Sequence, residues 1–93
     1  MYVSFTDWEF DGNVDNAVEG IKANGAEMKK YGAVNGRCTV TGENTLRTMT
    51  LWSSQELMEA NVDAIRALAT SASGMKPTGA MKGPLALQLT END

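Results

Sequence analysis

The sequence predicts a small α+β domain whose strands and helices follow one another as βαββαβ, the order of a ferredoxin-like fold. Three observations support this prediction: period-two alternation near the start, a hairpin that passes directly into a capped helix, and alternating leucines near the end. We expect the strands to form a four-stranded antiparallel sheet with both helices on one face. The chain has the length of one domain, so we take 1–93 as a single unit with a frayed tail at 91–93.

The first strand is predicted over residues 2–10, where side chains alternate and Tyr2 and Trp8 share a face. The turn that follows contains Asn13, a residue type that caps helices. Apolar residues then recur at helical spacing, with charged residues mostly on the opposite side. These features predict one helix that ends at Tyr31.

A β-hairpin is predicted in the middle of the chain, with strands over 34–41 and 45–52 joined by a Gly-Glu-Asn turn. The second of these strands ends in Trp52. Ser53, with Glu56 three residues later, has the pattern of a capping box. The sequence therefore predicts that the second helix begins directly after the hairpin.

The last strand is predicted over 84–89, where leucines alternate with other residues. The segment before it, 70–82, is rich in Gly, Ser and Lys and predicts a loose connection. Such a connection is a candidate lid, in which Lys76 and Lys82 would offer positive charge to an anionic ligand.

Composition excludes several kinds of partner. Eight Lys and Arg against twelve Asp and Glu give a net charge of −4, which argues against nucleic acid and anionic membranes as partners. No apolar run approaches the roughly 20 residues of a membrane span, and the start lacks the basic and apolar regions of a signal peptide. We therefore expect a cytoplasmic protein.

The single cysteine, Cys38, cannot form an internal disulfide, which also fits a reducing compartment. The chain contains no histidine that could activate its thiol. We therefore expect Cys38 to be a small buried apolar residue rather than a nucleophile.

Two helices can cover only one face of the sheet, so the other face needs an explanation. It carries either Tyr2, Trp8 and Trp52 among Ser and Thr, or the valine and leucine set. A chain this short buries only about 60–65% of its unfolded surface, so the hydrophobic core of a single chain would give only marginal stability. We expect a homodimer in which two sheets pack face to face as a dimeric α/β barrel. The alternative is a threonine-rich face that remains exposed to solvent.

The run TMTLWSSQELMEAN from Thr48 to Asn61, with the chain length and the order of elements, resembles antibiotic biosynthesis monooxygenase-type members of the dimeric α/β barrel superfamily. The likeness covers the whole chain as a pattern, and its residue-level part is this junction. It implies a pocket between helices and sheet, or near the barrel mouth, for a small aromatic or polyketide-like molecule. Since the chain lacks histidine, the axial ligand of the haem-degrading branch, we expect no cofactor and no metal.

The resemblance implies oxidation by O2, for which the pocket has to stabilise a substrate anion with hydrogen-bond donors. The candidate catalytic residues are Trp52 and Asn61. The candidate substrate-binding residues are Arg37, Arg47, Trp8, Tyr2 and Tyr31. Each also has a structural alternative: the tryptophans can pack in a core or interface, the asparagine can satisfy backbone groups, and the arginines can form salt bridges.

Two functions therefore remain open from the sequence. The first is a cofactor-independent monooxygenase-like enzyme that acts on a small organic molecule. The second is a non-catalytic dimeric domain of the same fold that binds a small metabolite or another protein.

Overall fold

The computed structural model describes residues 1–89 and confirms the ferredoxin-like arrangement. In chain order its elements are β1 (Tyr2–Glu9), α1 (Val14–Ala23), α2 (Gly25–Lys30), β2 (Ala33–Gly42), β3 (Thr45–Trp52), α3 (Gln55–Ser73) and β4 (Lys76–Pro84). The strands form one antiparallel sheet in the order β2-β3-β1-β4. The predicted frayed tail at 91–93 lies outside the described residues. None of the helices described here is long and apolar enough to cross a membrane.

The first helix starts where the sequence predicts but is interrupted. The Asn13 side chain accepts a hydrogen bond from the backbone N–H of Asn16 at 3.0 Å, which confirms the N-cap. At Asn24 the helix stops, and Nδ2 of Asn24 donates to the carbonyl of Gly20 at 3.0 Å. Gly25, a weak helix former, follows directly. The prediction of one unbroken helix is therefore wrong, because these two residues divide it into α1 and the short α2.

The junction between β3 and α3 confirms the predicted strand and corrects the predicted cap. Strand β3 has the predicted bounds, whereas the N-cap of α3 is Ser54 rather than Ser53. The Ser54 side chain accepts from the backbone N–H of Leu57 at 3.2 Å. At the other end of α3, Gly74 adopts a left-handed conformation with φ +72° and donates its N–H to the carbonyl of Thr70 at 2.8 Å.

The closing strand lies earlier in the chain than predicted. Strand β4 occupies much of the segment expected to be loose, and it pairs antiparallel with β1. The reason is that the left-handed glycine turns the chain at once, and Met75, fully buried, fixes the start of the strand. The alternating leucines that predicted a strand at 84–89 include Leu87 and Leu89, which are 71% and 82% exposed. The lid prediction is wrong for the same reason, because Lys76 and Lys82 belong to the strand.

The helices pack on the tryptophan face of the sheet, which decides between the two faces left open by the sequence. Two apolar clusters lie on this side of the sheet. One contains Trp8, Phe10, Ala17, Leu46 and Met75, and the other contains Trp52, Met58 and Ile65. The core therefore sits at two places between helices and sheet.

The face turned away from the helices carries the valine and leucine set. Val3 pairs with Leu51, and Phe5 pairs with Met49 on one side and Met81 on the other. Val3 and Leu51 are buried already in the single chain, whereas Met81 is 62% exposed. We call these five residues the far-face patch.

Candidate functional site

A cavity of about 470 Å³ lies between α1, α2 and α3 on one side and strands β2 and β3 on the other. We call it the helix–sheet cavity. Its apolar wall includes Trp8, Val18, Ile21, Met28, Ala33, Ile65, Leu68 and Ala69. Its size falls within the range of small-molecule sites, and apolar walls with a few polar groups are typical of them.

Four short hydroxyl side chains occupy the centre of the helix-facing side of the sheet. Ser4 lies opposite Thr50, and Thr6 lies opposite Thr48, on the paired strands β1 and β3. We call these four residues the hydroxyl cluster. Ser4, Thr6 and Thr50 are buried, and the two threonines of β3 line the helix–sheet cavity. The polar floor of the cavity is therefore the β3 half of this cluster.

Three members of the hydroxyl cluster accept a hydrogen bond from a larger side chain. Trp52 Nε1 donates to Ser4 Oγ at 2.9 Å, and Trp8 Nε1 donates to Thr48 Oγ1 at 2.8 Å. On α3, Arg66 Nε donates to Thr6 Oγ1 at 3.1 Å. These bonds give each indole N–H and the guanidinium Nε–H an acceptor, because a buried donor without an acceptor would destabilise the fold.

The charged residues that line the helix–sheet cavity are all cations. They are Lys22, Lys29 and Arg37, and none of the described lining residues is an Asp or Glu. In a chain with a net charge of −4, this local excess of positive charge favours an anionic group in the cavity.

Of these cations, Arg37 borders the cavity from its outer edge. Its register partner on β3 is Met49, a member of the far-face patch. Arg37 Nη1 donates to Asn35 Oδ1 at 2.8 Å and to the carbonyl of Gly36 at 3.0 Å, which holds the guanidinium along β2. The two lysines of the helices are therefore the cations best placed to face a ligand.

Cys38 also lines the cavity, and the structure corrects its predicted burial, because the residue is exposed in the single chain. Partial desolvation raises the pKa of its thiol above the usual range. A raised pKa keeps the sulfur protonated at neutral pH, and a thiol is a poor nucleophile. The expectation that Cys38 is not a nucleophile therefore has a physical basis in the partial desolvation of its thiol, although the residue is not buried as predicted.

The two residues predicted to be catalytic lie away from the helix–sheet cavity. Trp52 is fully buried in the second apolar cluster, and its indole N–H is engaged by Ser4. Asn61 Nδ2 donates to the carbonyls of Tyr31 and Leu57, at 3.1 and 3.0 Å. Neither side chain lines the cavity. Their contacts favour the structural alternatives, in which Trp52 packs the core and Asn61 ties α3 to the end of α2.

The predicted substrate-binding residues are divided among three places. Trp8 lines the helix–sheet cavity, and Arg37 borders it. Tyr2 and Tyr31, both partly buried, pack against the apolar cluster around the second tryptophan. Arg47 lies on the opposite side of the sheet, where it pairs with an aspartate on β1.

Other residues of the cavity were not predicted from the sequence. Thr48 and Thr50 supply the floor, and Lys22 and Lys29 supply charge. One signal for the floor is present in the sequence, since both threonines alternate with apolar residues along the strand that ends in a tryptophan. The lysines carry no comparable signal, because a lysine on the polar side of an amphipathic helix is ordinary.

A second cavity, of about 460 Å³, lies between α3 and β4. Its charged lining residues form opposite pairs: Lys82 lies 3.9 Å from Glu59, and Arg66 lies 3.4 Å from Asp63. These charges compensate one another, so this cavity has no comparable preference for a ligand charge. Within residues 1–89, no group of three or more His, Cys, Asp or Glu side chains is arranged to hold a metal ion.

No protein-family model and no curated protein sequence matches this chain. Its fold, however, matches solved structures over nearly the full length. SnoaB, a cofactor-independent oxygenase from Streptomyces nogalater, is 13% identical, with a TM-score of 0.67 over 97% of this chain and 98% of that one. A candidate antibiotic biosynthesis monooxygenase from Deinococcus radiodurans is 7% identical, with a TM-score of 0.64 over 97% of each chain.

A dimeric ferredoxin-like protein from an uncultured marine organism is 8% identical, with a TM-score of 0.60 over 98% of this chain and 100% of that one. Identities this low establish a shared fold and leave activity to be argued from the site. The chain therefore has the ferredoxin-like fold seen in antibiotic biosynthesis monooxygenase-like structures.

Proposed function

We propose that this protein binds a small, flat organic molecule of aromatic or polyketide type in the helix–sheet cavity and oxidises it with O2 without a cofactor. The observation that supports this most directly is the cavity itself, which combines apolar walls, a tryptophan and an all-cationic set of charged residues. Apolar walls favour a flat ring system, and the cations favour a substrate that carries or acquires negative charge.

The chemistry requires little from the protein. A substrate with an acidic methylene loses a proton to water, and the resulting anion passes an electron to O2. The substrate radical and superoxide then combine to a peroxide anion, which takes up a proton from water and loses one molecule of water, so that one methylene group and one O2 yield one ketone and one molecule of water. The protein's part is to hold the rings and to lower the energy of the anion, for which Lys22 and Lys29 are placed at the cavity. The shared fold of SnoaB, a cofactor-independent oxygenase, supports the same proposal.

Oxygen uptake with anthrone tests this proposal, because anthrone is a tricyclic ketone with one acidic methylene and gives anthraquinone and water. We expect the purified protein to raise the rate of uptake above that of buffer, with one O2 consumed per anthraquinone formed. Treatment of the protein with a chelator should leave the rate of oxygen uptake unchanged. A rate equal to buffer over a series of such tricyclic ketones would contradict the oxygenase proposal.

The cations are tested by removing their charge. Lys22→Gln and Lys29→Gln should each weaken the binding of anthracene-2-carboxylate by about 2- to 5-fold, the range expected for exposed charges. Lys30→Gln is the matched control, since Lys30 lies next to Lys29 on α2 but pairs with Glu27 and does not line the cavity. Equal losses in all three variants would point to a general charge effect rather than a site.

A second candidate function is binding without catalysis. It is favoured by the contacts of Trp52 and Asn61, which the sequence predicted as catalytic donors and which are both engaged inside the fold. Under this alternative, ligands bind in the helix–sheet cavity and no oxygen is consumed. Equilibrium dialysis and oxygen uptake on the same samples separate the two functions.

We further propose that the protein is a homodimer joined through the far-face patch. Its exposed member, Met81, continues an apolar surface on the side of the sheet that the helices leave bare. Met81→Glu should convert a dimer into a folded monomer in analytical ultracentrifugation. Ala80→Glu is the control, because Ala80 is also exposed on β4 but points to the helix side. A native protein that is already monomeric would contradict this proposal.

The compartment we propose is the cytoplasm. The support is Cys38, a single cysteine that has no second cysteine in the chain for an internal disulfide, which fits a reducing compartment. Cell fractionation with an antibody to the protein tests this, and recovery outside the cytoplasmic fraction would contradict it.

A further inference from the structure

The floor of the helix–sheet cavity presents a hydroxyl proton that no group in the described structure accepts. Thr48 Oγ1 is the acceptor of the Trp8 indole N–H at 2.8 Å. A threonine hydroxyl can donate one hydrogen bond while it accepts others. Within residues 1–89 the Thr48 hydroxyl donates to no protein group. Because Thr48 lines the cavity, this proton is available to a bound molecule.

The neighbouring hydroxyl supports the same interpretation. Thr50 is only 7% exposed, lines the cavity, and makes no side-chain hydrogen bond within the described part of the chain. No described side-chain oxygen or nitrogen is both sealed from solvent and unpartnered. The Thr50 oxygen must therefore reach open space, which the lining residues identify as the cavity. Two hydroxyls of one strand thus face the same space.

We infer that Thr48, with Trp8 behind it, donates a hydrogen bond to an oxygen acceptor on the ligand and so orients the ligand in the helix–sheet cavity. This inference rests on the proposed function, and it assigns the acceptor chemistry: a carbonyl or phenolate oxygen attached to a flat ring system. The indole N–H polarises the threonine hydroxyl, because donors arranged in a chain strengthen one another. The hydrogen bond gains strength as negative charge develops on the ligand oxygen.

A matched pair of tricyclic probes tests the inference. Fluorenone and fluorene have the same ring skeleton, and only fluorenone has an oxygen acceptor. In equilibrium dialysis the native protein should bind fluorenone about 3- to 10-fold more tightly than fluorene, the effect of one neutral hydrogen bond. Thr48→Val should abolish this preference by weakening fluorenone binding alone, and Thr48→Ser should keep it. Thr39→Val is the control, because Thr39 is an exposed β2 residue outside the cavity.

The infrared carbonyl band of bound fluorenone provides a measurement that needs no variant. Donation from Thr48 should move the band to lower wavenumber, and an unshifted band in the native protein would overturn the inference. Equal affinities for the two probes, or a preference that survives Thr48→Val, would also overturn it while leaving the proposed cavity intact. Failure of both probes to bind would contradict both the proposed ligand binding in the helix–sheet cavity and the inference about Thr48.

Discussion

Arg47 and Asp7 form a two-point ion pair across the neighbouring strands β3 and β1. Arg47 Nε lies 2.7 Å from Asp7 Oδ1, and Nη2 lies 3.1 Å from Oδ2. The guanidinium also lies 5.8 Å from the centre of the Phe5 ring. This geometry places Arg47 on the side of the sheet that the helices leave bare. These contacts favour the structural alternative for Arg47, a salt bridge, over a place in the helix–sheet cavity.

The ion pair gives the first prediction. The hydrogen bond from Arg47 lowers the pKa of Asp7 in the folded protein below that of the unfolded chain. The pair therefore stabilises the fold above the unfolded pKa of about 3.9, and this contribution is lost as the pH falls through the lower folded pKa. Asp7→Asn should flatten the acid limb of a plot of unfolding free energy against pH, measured by urea titration. An acid limb unchanged from the native protein would contradict this.

Trp52 and Trp8 give the second prediction, because both were candidate site residues and only one lines the cavity. Trp52→Phe should lower the free energy of unfolding by about 2 to 3 kcal/mol, since it leaves a gap and removes the donor to buried Ser4. It should leave fluorenone binding unchanged at temperatures where the variant is folded. Trp8→Phe should weaken fluorenone binding, because it removes cavity wall and the donor to Thr48.

The result that would contradict this assignment is a stable Trp52→Phe protein that has lost binding. Urea unfolding and equilibrium dialysis on the same preparations distinguish the two roles. Circular dichroism confirms that each variant is folded under the dialysis conditions.

Asn61 gives the third prediction. Asn61→Asp keeps the shape of the side chain but removes the donor to two carbonyls, and should lower the free energy of unfolding by about 2 kcal/mol. Because one acceptor is the carbonyl of Tyr31, amide hydrogen exchange in α2 should become faster. Gln55→Ala is the control, since within residues 1–89 the Gln55 side chain bonds only to exposed Glu59, and its effect should stay within about 0.5 kcal/mol. A normal exchange rate in α2 would argue against the tie between α2 and α3.

The cysteine gives the fourth prediction. Desolvation raises the pKa of Cys38, so alkylation by iodoacetamide at neutral pH should be slower than that of a small-molecule thiol. The alkylation rate of Cys38 should continue to rise at pH values where the alkylation rate of the small-molecule thiol has already reached its plateau. Bound fluorenone should slow alkylation further, because Cys38 lines the cavity. Full reactivity in the presence of saturating ligand would place the ligand elsewhere.

The parts of the fold that the sequence predicted are those decided by short-range pattern. Alternation over eight residues located β3 correctly, and the cap at Asn13 depends on a residue three positions away. Strand β4 was misplaced because its Gly, Pro and Lys residues have little intrinsic strand preference. Its position is decided by pairing with β1, which lies at the other end of the chain.

The site was harder to predict than the fold, because the acceptor of each indole N–H lies far away in the sequence. The indole of Trp52 meets Ser4, 48 residues earlier, and the indole of Trp8 meets Thr48, 40 residues later. The two tryptophans look equivalent as sequence features near strand ends. Both indoles are buried, and only the strand register decides that Trp8 also lines the cavity whereas Trp52 does not.

The hydroxyl cluster has a consequence for how this fold can diversify. Most of the apolar packing lies in the two clusters at either end of the helix-facing side, while the centre is held by hydrogen bonds between short side chains and their larger donors. Under the proposed function, exchange of Thr48 or Thr50 would change the polar floor of the cavity without removing a member of either cluster. Trp8 and Ile65 belong both to the clusters and to the cavity wall, whereas Thr48 and Thr50 belong to neither cluster. The floor is therefore the part of the proposed site that can change with the least effect on thermodynamic stability.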